Sequence, residues 1–446
     1  MWGSAMINKA EAQRILDMVM ALSPADETEA ALSSSDSALT RFAENVIHQN
    51  VEEHDAGLTV RAIIGKRIGE ASTNRLDEEG IQRVVRDAAE IARFAPEDAD
   101  LLPRIGPQRY QEVDAYDPET APEAFGPSSR AEAVSGVIQE AEESGMKAAG
   151  AFSNEAKSIA VANSKGVFAY HAGTSANFSV TAIAQDSSGW AEQEGRAVSK
   201  IEPRRLGQIA IEKALASQNP RAAEPGEYTV VLEPAAVEGI VSWLTLGFNA
   251  LEVDEGRSFL MGRMGTKIAG DNITLFSDPY HPLHRGAPFD REGMPKKRLT
   301  LIERGVAKDL AYDRVTAKRK GVAPTGHSLG GRSANGAWPS HLVLEGGDAS
   351  LEEMIRSTER GILVTRFWYE NILDRMKLIV TGMTRDGLFW IEDGAVRYAI
   401  RNFRFNQSVP EFLNHVEMMS EPVLVAGMAA PAMKAEGFHF TSGTAF

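Results

Sequence analysis

Leu58-Thr59-Val60-Arg61-Ala62-Ile63-Ile64 runs into Gly65 and Gly69. Its apolar residues first alternate and then become continuous, the pattern of a strand buried on at least one face, and the glycines punctuate it. Residues 29–73 read in the same way as several short strands. Helical patterns bracket them. Upstream, Ile15, Met18, Val19 and Leu22 share a helical face, Asn8 and Glu11 have capping-box spacing, and Pro24 ends the run. Downstream, from Asp77, a stripe of Ile81, Val84, Val85, Ala88 and Ala92 is closed by Pro96.

The same order returns. Ser129 and Glu132 have capping spacing, Val134, Val137, Ile138 and Ala141 form a stripe, and Gly145 marks a stop. Short strands fill 149–194, and a helix opens at Pro203 and runs to about Ser217. Phe42-Ala43-Glu44-Asn45 and Ala160-Val161-Ala162-Asn163 occupy comparable places, so the half reads as a duplication. The expected fold is α+β. An N-terminal domain over 6–225 holds two similar helix–strands–helix units (about 8–95 and 128–218) with curved antiparallel sheets, joined by a Pro-rich acidic linker over 96–127. A mostly antiparallel β domain with few helices follows over 226–446. In it, Pro234 opens a helix toward Ala250, and Ser350 with Glu353 starts another that ends at Gly361. Asp386-Gly387 and Asp393-Gly394 carry the hairpin signal on either side of Leu388-Phe389-Trp390-Ile391.

Composition narrows the function. The 446 residues carry 47 Lys and Arg against 62 Asp and Glu, a formal net charge of −15, which argues against a nucleic-acid binder. Cysteine is absent, which excludes disulfides, thiolate zinc sites, iron–sulfur clusters and cysteine nucleophiles. The apolar stretch 239–251 is too short to cross a bilayer, which takes about 20 residues. Met1-Trp2-Gly3-Ser4-Ala5-Met6 has no basic, then apolar, signal pattern and reads as a short added leader before a native start at Met6. The expected location is the cytoplasm, with neither membrane nor nucleic acid as partner.

Chemical motifs are sparse. None of the nine His lies in a His-Glu-x-x-His or His-Glu-x-x-x-His run, and His281-Pro282-Leu283-His284 reads as two surface-loop residues because proline breaks a helical ligand pair. There is no P-loop and no Gly-x-Ser-x-Gly elbow; Thr325-Gly326-His327-Ser328-Leu329-Gly330-Gly331 reads as turn geometry. Arg366-Phe367-Trp368-Tyr369 and Arg401-Asn402-Phe403-Arg404-Phe405 mix cations with aromatics on strands. Such segments build a peptide groove or, more simply, a sheet with one aromatic face and one basic face.

Five groups of residues then carry a family resemblance. The run 41–49 with Gly65-Lys66-Arg67-Ile68-Gly69-Glu70-Ala71-Ser72-Thr73-Asn74 resembles the N-terminal signature of the TldD/PmbA (TldE) family. Glu255-Gly256-Arg257-Ser258-Phe259-Leu260, Phe289-Asp290-Arg291-Glu292-Gly293, Tyr312-Asp313-Arg314-Val315-Thr316-Ala317 and Thr381-Gly382-Met383-Thr384-Arg385-Asp386-Gly387 resemble its C-terminal landmarks. The resemblance implies a metalloprotease built from two homologous subunits. The TldD-like subunit holds zinc or a similar divalent metal on a His-Glu-x-x-x-His helix with a later ligand, often Cys. The substrates it implies are unfolded polypeptides and precursor peptides. Here Val241, Ser242 and Leu246 stand where the His, Glu and second His would be, and 239–251 contains no His, Asp or Glu. The chain is therefore expected to be the metal-free TldE/PmbA-like subunit, with no cofactor of its own and a TldD-like partner. A homodimer is an option in isolation. Arg366, Tyr369, Arg385, Arg401 and Arg404 are the peptide-groove candidates. Two alternatives stay open: a stand-alone hydrolase using His327, His341 and His281 with Asp290 or Glu292, and a regulatory binding protein of the DNA gyrase modulator type.

Overall fold

The strand around Leu58 is far longer than its apolar core. A computed structural model describes residues 6–331 and 336–444, so the leader reading of residues 1–5 lies outside the described residues. After α1 (Lys9–Leu22), β1 (Glu27–Ala43) and β2 (Val46–Ile64) form one long hairpin, followed by β3 (Arg67–Thr73) and α2 (Glu78–Phe94). The turn between β1 and β2 is made by Glu44 and Asn45, both at positive φ, the geometry of a tight two-residue hairpin. Where several short strands were expected, the polar run 48–55 continues β2, with Asp36 opposite His54. It is exposed on both faces there, so the alternation that reveals a strand is missing.

The second unit repeats the plan with α3 (Pro127–Glu143), β4 (Lys147–Asn163), β5 (Phe168–Ile183), β6 (Ser188–Gly195) and α4 (Pro203–Ala216). α3 starts at Pro127, two residues before the capping pair, and Gly126 caps it without a side chain. β1 pairs with β4, so both units share one six-stranded antiparallel sheet in the order β3-β2-β1-β4-β5-β6. All four helices cover the same face, because Leu32, Phe42, Phe152 and Ala160 all point toward them. On α1 the buried stripe is Ala12, Ile15, Leu16 and Val19; Leu22 ends exposed.

Two glycines show the duplication at atomic detail. A Cβ on Gly69 of β3 would lie 2.0 Å from Ala88 O and 2.3 Å from Ala92 N of α2. A Cβ on Gly189 of β6 would lie 2.2 Å from Ala210 O and 2.4 Å from Ala214 N of α4. Each unit thus seats its last strand directly on its last helix, through a glycine and two alanines one helical turn apart.

Residues 96–126 contain no helix or long strand, yet they are held at both sides. Arg104 reaches Glu29 of β1 at 2.9 Å, the Tyr110 hydroxyl donates to Gly293 O at 2.7 Å, and Arg314 donates to Pro103 O at 2.6 Å.

The C-terminal half begins with β7 (Gly226–Leu232) and α5 (Pro234–Val241). The helix expected to reach Ala250 stops at Val241. A 3-10 turn over Ser242–Leu246 follows, and α6 (Ala250–Asp254) restarts after an Asn249 cap. Next come β8 (Leu275–Ser277), β9 (Leu299–Glu303), β10 (Val306–Ala307), α7 (Arg314–Lys320), β11 (Leu342–Leu344) and α8 (Leu351–Arg356), the last with a full Ser350–Glu353 capping box. The chain ends with β12 (Arg360–Asp374), β13 (Ile379–Glu392), β14 (Ala395–Ala399), β15 (Phe403–Ser408), α9 (Val409–Phe412), β16 (Val416–Met419), β17 (Val423–Val425), β18 (Met428–Ala430) and β19 (Met433–Gly443). One sheet runs β12-β7-β19-β15-β13-β14 and closes on itself because β12 also pairs with β13. Phe367, Phe405, Phe412, Phe438 and Phe440 fill it, with ring centroids 4.4–5.5 Å apart. The second sheet runs β10-β9-β8-β11-β18-β17.

One hairpin signal is read differently by the fold. Asp393-Gly394 is the β13–β14 turn, but Asp386-Gly387 lies inside β13, where the β12 register shifts between Val364 and Arg366. Both residues have positive φ, as a bulge requires. The Asp386 carboxylate is thereby turned toward Arg366 and Ser188.

Candidate functional site

The face of the N-terminal sheet that carries no helix looks onto loops of the C-terminal half. Between them lies a cavity of about 930 Å³. The floor comes from β1, β2, β4 and β5, through Ala31, Thr59, Ile159, Val161 and His171. The opposite wall is built by Phe289, Lys296, His327, Ser340 and His341, with Leu424 and Gly427 at one end.

The wall is cross-linked by hydrogen bonds. Lys296 Nζ donates to Ser340 Oγ at 3.2 Å, and Ser340 Oγ lies 3.0 Å from His341 Nδ1. His327 Nε2 lies 3.0 Å from Ser277 Oγ, and its Nδ1 lies 2.9 Å from Thr325 O. His284 Nε2 meets Leu342 O at 2.7 Å, and its ring packs 5.5 Å from that of His341. The expected pair of surface-loop histidines is therefore corrected: both are half-buried, and His284 lines the cavity. Asp290 accepts backbone N–H bonds from Ser328, Glu292 and Met294, each at 2.9 Å.

Burial sets the charge states. It pushes Lys296 down to about 8, opposed by the charge of Asp290. It pushes Asp290 up to about 6 against its three N–H donors. It holds His171 and His327 down to about 4 and His341 down to about 2, with Lys296 adding to each. These imidazoles are neutral at pH 7.

The stand-alone hydrolase set assembles only in part. His327, His341 and Asp290 reach the cavity, but Glu292 turns away to lie 3.8 Å from Arg314 beside Arg104. His281 packs behind the wall against His284, ring centroids 6.3 Å apart.

The degenerate ligand positions lie elsewhere. Val241 is completely buried in the C-terminal core, Ser242 is half-buried one helical turn after Glu238, and Leu246 is half-buried in the 3-10 turn. A single serine hydroxyl is no donor set for a divalent cation, so these residues do not fit a metal. Among the described residues, no three His, Asp or Glu are grouped closely enough to hold one.

The basic face is real and uneven. Arg366, Trp368, Met383, Arg385 and Arg404 share the outer face of β12, β13 and β15, while Phe367, Thr384 and Phe405 point into the core. Arg366 is already engaged. Its Nε donates to Asp386 Oδ2 at 2.8 Å, its guanidinium lies 4.6 Å from the Trp190 ring, and Asp386 accepts from Ser188 Oγ at 2.7 Å. It joins β6 to β13. Arg385 stacks 4.7 Å from the exposed Trp368 ring. Tyr369 is 77% exposed at positive φ, and Arg401 and Arg404 are exposed. Sequence reasoning missed Lys296 and Ser340. Lys296 sits in Lys296-Lys297-Arg298, which looks like any solvated charge run.

Family profiles match three consecutive segments: PmbA/TldA metallopeptidase domain 1 over residues 28–92, its central domain over 114–218 and its C-terminal domain over 225–442. The chain belongs to the PmbA/TldD family. The metalloprotease PmbA of Escherichia coli O157:H7 is 26% identical over 424 residues, covering 89% of each chain. TldE from Thermococcus kodakarensis has the same fold, with a TM-score of 0.86 at 24% identity, over 97% of this chain and 100% of that one. A Thermotoga maritima protein whose name associates it with modulation of DNA gyrase also has a TM-score of 0.86, at 18% identity, over 96% and 100%. This PmbA/TldD member has no helix among its described residues that is long and apolar enough to cross a membrane.

Proposed function

We propose that this PmbA/TldD chain is the metal-free, TldE-like subunit of a heteromeric metallopeptidase. A TldD-like partner contributes zinc or a similar divalent metal. This chain completes the chamber and holds flexible polypeptide near the metal. The observation carrying the reading is the segment at 241–246, where a buried valine, a half-buried serine and a leucine stand in place of the ligands the resemblance implies. Without a Lewis acid, no water is made nucleophilic and no scissile carbonyl is polarised on this chain. Its own residues bind and enclose. The cavity admits extended chain between the sheet and the Lys296–Ser340–His341 wall, and it is too small for a folded domain. Tyr369, Arg385, Arg401 and Arg404, being exposed, are the groove candidates left to contact peptide outside it. Arg366 braces β6 against β13.

The test is reconstitution with a metal-bearing TldD-like subunit. Digestion of an unfolded protein is expected only from the mixture, sensitive to chelator, with metal on the partner alone. Undiminished digestion by the partner without this chain refutes the proposal. So does chelator-sensitive digestion by this chain alone.

A further inference from the structure

Lys296 is an enclosed cation with too few partners. An ammonium has three protons to donate. Among the described residues, Lys296 Nζ has one hydrogen bond, to Ser340 Oγ, and no carboxylate within 4 Å. Asp290 lies near enough to influence it, but its oxygens already accept three backbone N–H bonds. The neighbouring His327 and His341 are committed to Thr325, Ser277 and Ser340. A buried charge left in this state is costly unless an anion joins it.

The surroundings point the same way. Of the remaining charged lining, Arg61 is paired with Glu29 and Glu70, Lys157 with Glu155 and Arg285 with Asp114, which leaves Arg196 and Arg291 beside Lys296 against Glu194 and Asp290. A lining that stays net positive inside a chain of net charge −15 favours an anion over a cation in its interior. Ile159, Val161, Phe289 and Leu424 supply apolar walls, which suit an anion carried on a carbon chain. Lys296 is also held in place: its N–H donates to Pro288 O at 2.9 Å, and its carbonyl accepts from the Tyr280 hydroxyl at 3.0 Å.

We propose that Lys296 and the Ser340 hydroxyl form a carboxylate-binding site on the cavity wall, taking the C-terminal or a side-chain carboxylate of an unfolded polypeptide. The inference rests on the reading of the cavity as a polypeptide chamber. A carboxylate there would accept from Lys296 Nζ in a charge-assisted hydrogen bond.

The experiment is calorimetric titration of the full chain at pH 7 with three versions of one short unstructured peptide of Ala, Gly, Leu and Ser. One has a free C-terminus, one is amidated, and one is amidated with a single internal Glu. The free acid, the Glu peptide or both are expected to bind about tenfold tighter than the plain amide. Which of them does so assigns the terminal or the side-chain carboxylate. Lys296→Met is expected to abolish the difference and Lys296→Arg to keep it, with both variants checked for a parent-like thermal unfolding curve. Equal binding of all three peptides, or discrimination that survives in Lys296→Met, overturns the carboxylate site and leaves the chamber reading intact. Failure of every peptide to bind overturns both.

Discussion

Glu238 ends one turn before the place where the family resemblance implies a metal ligand. Its carboxyl is pushed up to about 7, chiefly by burial. The hydrogen bond from Ser242 opposes this, and the charges of Glu370, Glu194 and Glu192 add to it. A carboxyl whose folded value lies above its unfolded value binds its proton more tightly in the folded state. The folded chain therefore loses stability as pH rises from about 4.5 to about 7, and loses nothing further above that. Glu238→Gln removes the ionisation. In urea unfolding the variant is expected to match the parent near pH 4.5 and to exceed it by about 1–3 kcal/mol at pH 8. A stability difference that does not change with pH would contradict this account of the segment.

Among the elements, the paired glycine seats of β3 and β6 are the sharpest device. Gly69 and Gly189 let a strand backbone touch α2 and α4 where any Cβ would strike main-chain atoms. Helix backbone cannot rotate aside as a long side chain can. Gly69→Val and Gly189→Val are each expected to destabilise the chain by about 3 kcal/mol or more, measured by thermal or urea unfolding. Gly189→Val also disturbs the strand that carries Ser188 and Trp190 to Asp386 and Arg366, so its effect should extend to protection of β13 amides in hydrogen exchange. Parent-like stability in both variants would mean that the strands can lift off their helices cheaply. Gly69 was visible in the sequence as punctuation of a strand. Its partner role was not, because a close approach is a property of two elements and the alanines that complete it lie about 20 residues away.

For the molecule as a whole, Glu29 joins the parts. It is almost fully buried on β1 and pairs with Arg61 of β2 and with Arg104 of the 96–126 segment. Arg314 and Glu292 of the C-terminal half lie beside the same group. Glu29→Gln leaves two enclosed guanidinium groups without their shared carboxylate, at an expected cost of about 3–5 kcal/mol. Limited proteolysis should then cut the 101–113 stretch earlier than in the parent, while the closed C-terminal sheet stays protected. Cleavage kinetics identical to those of the parent would show that the strap is held by its other contacts. This network also explains why a Pro-rich acidic stretch that reads as a surface connection is pinned between the two halves: Arg104, Tyr110 and Pro103 each find a partner far along the chain.

Local pattern carried much of the outcome. The amphipathic stripes of α2 and α3, the β-rich C-terminal half and the repeated order of elements follow from residues within one or two turns of each other, because periodicity is local. Strand length was hidden wherever both faces meet solvent, as over 48–55. The broken helix at Ser242 and the bulge at Asp386-Gly387 also depended on distant packing, since the same dipeptide serves a turn or a bulge according to what its carboxylate meets. The cavity was invisible for the same reason. Lys296, Ser340, His341 and His171 come from separate stretches of chain, and their burial, neutral imidazoles and shared anion-seeking wall exist only once the bare face of the N-terminal sheet is closed over by the loops of the C-terminal half.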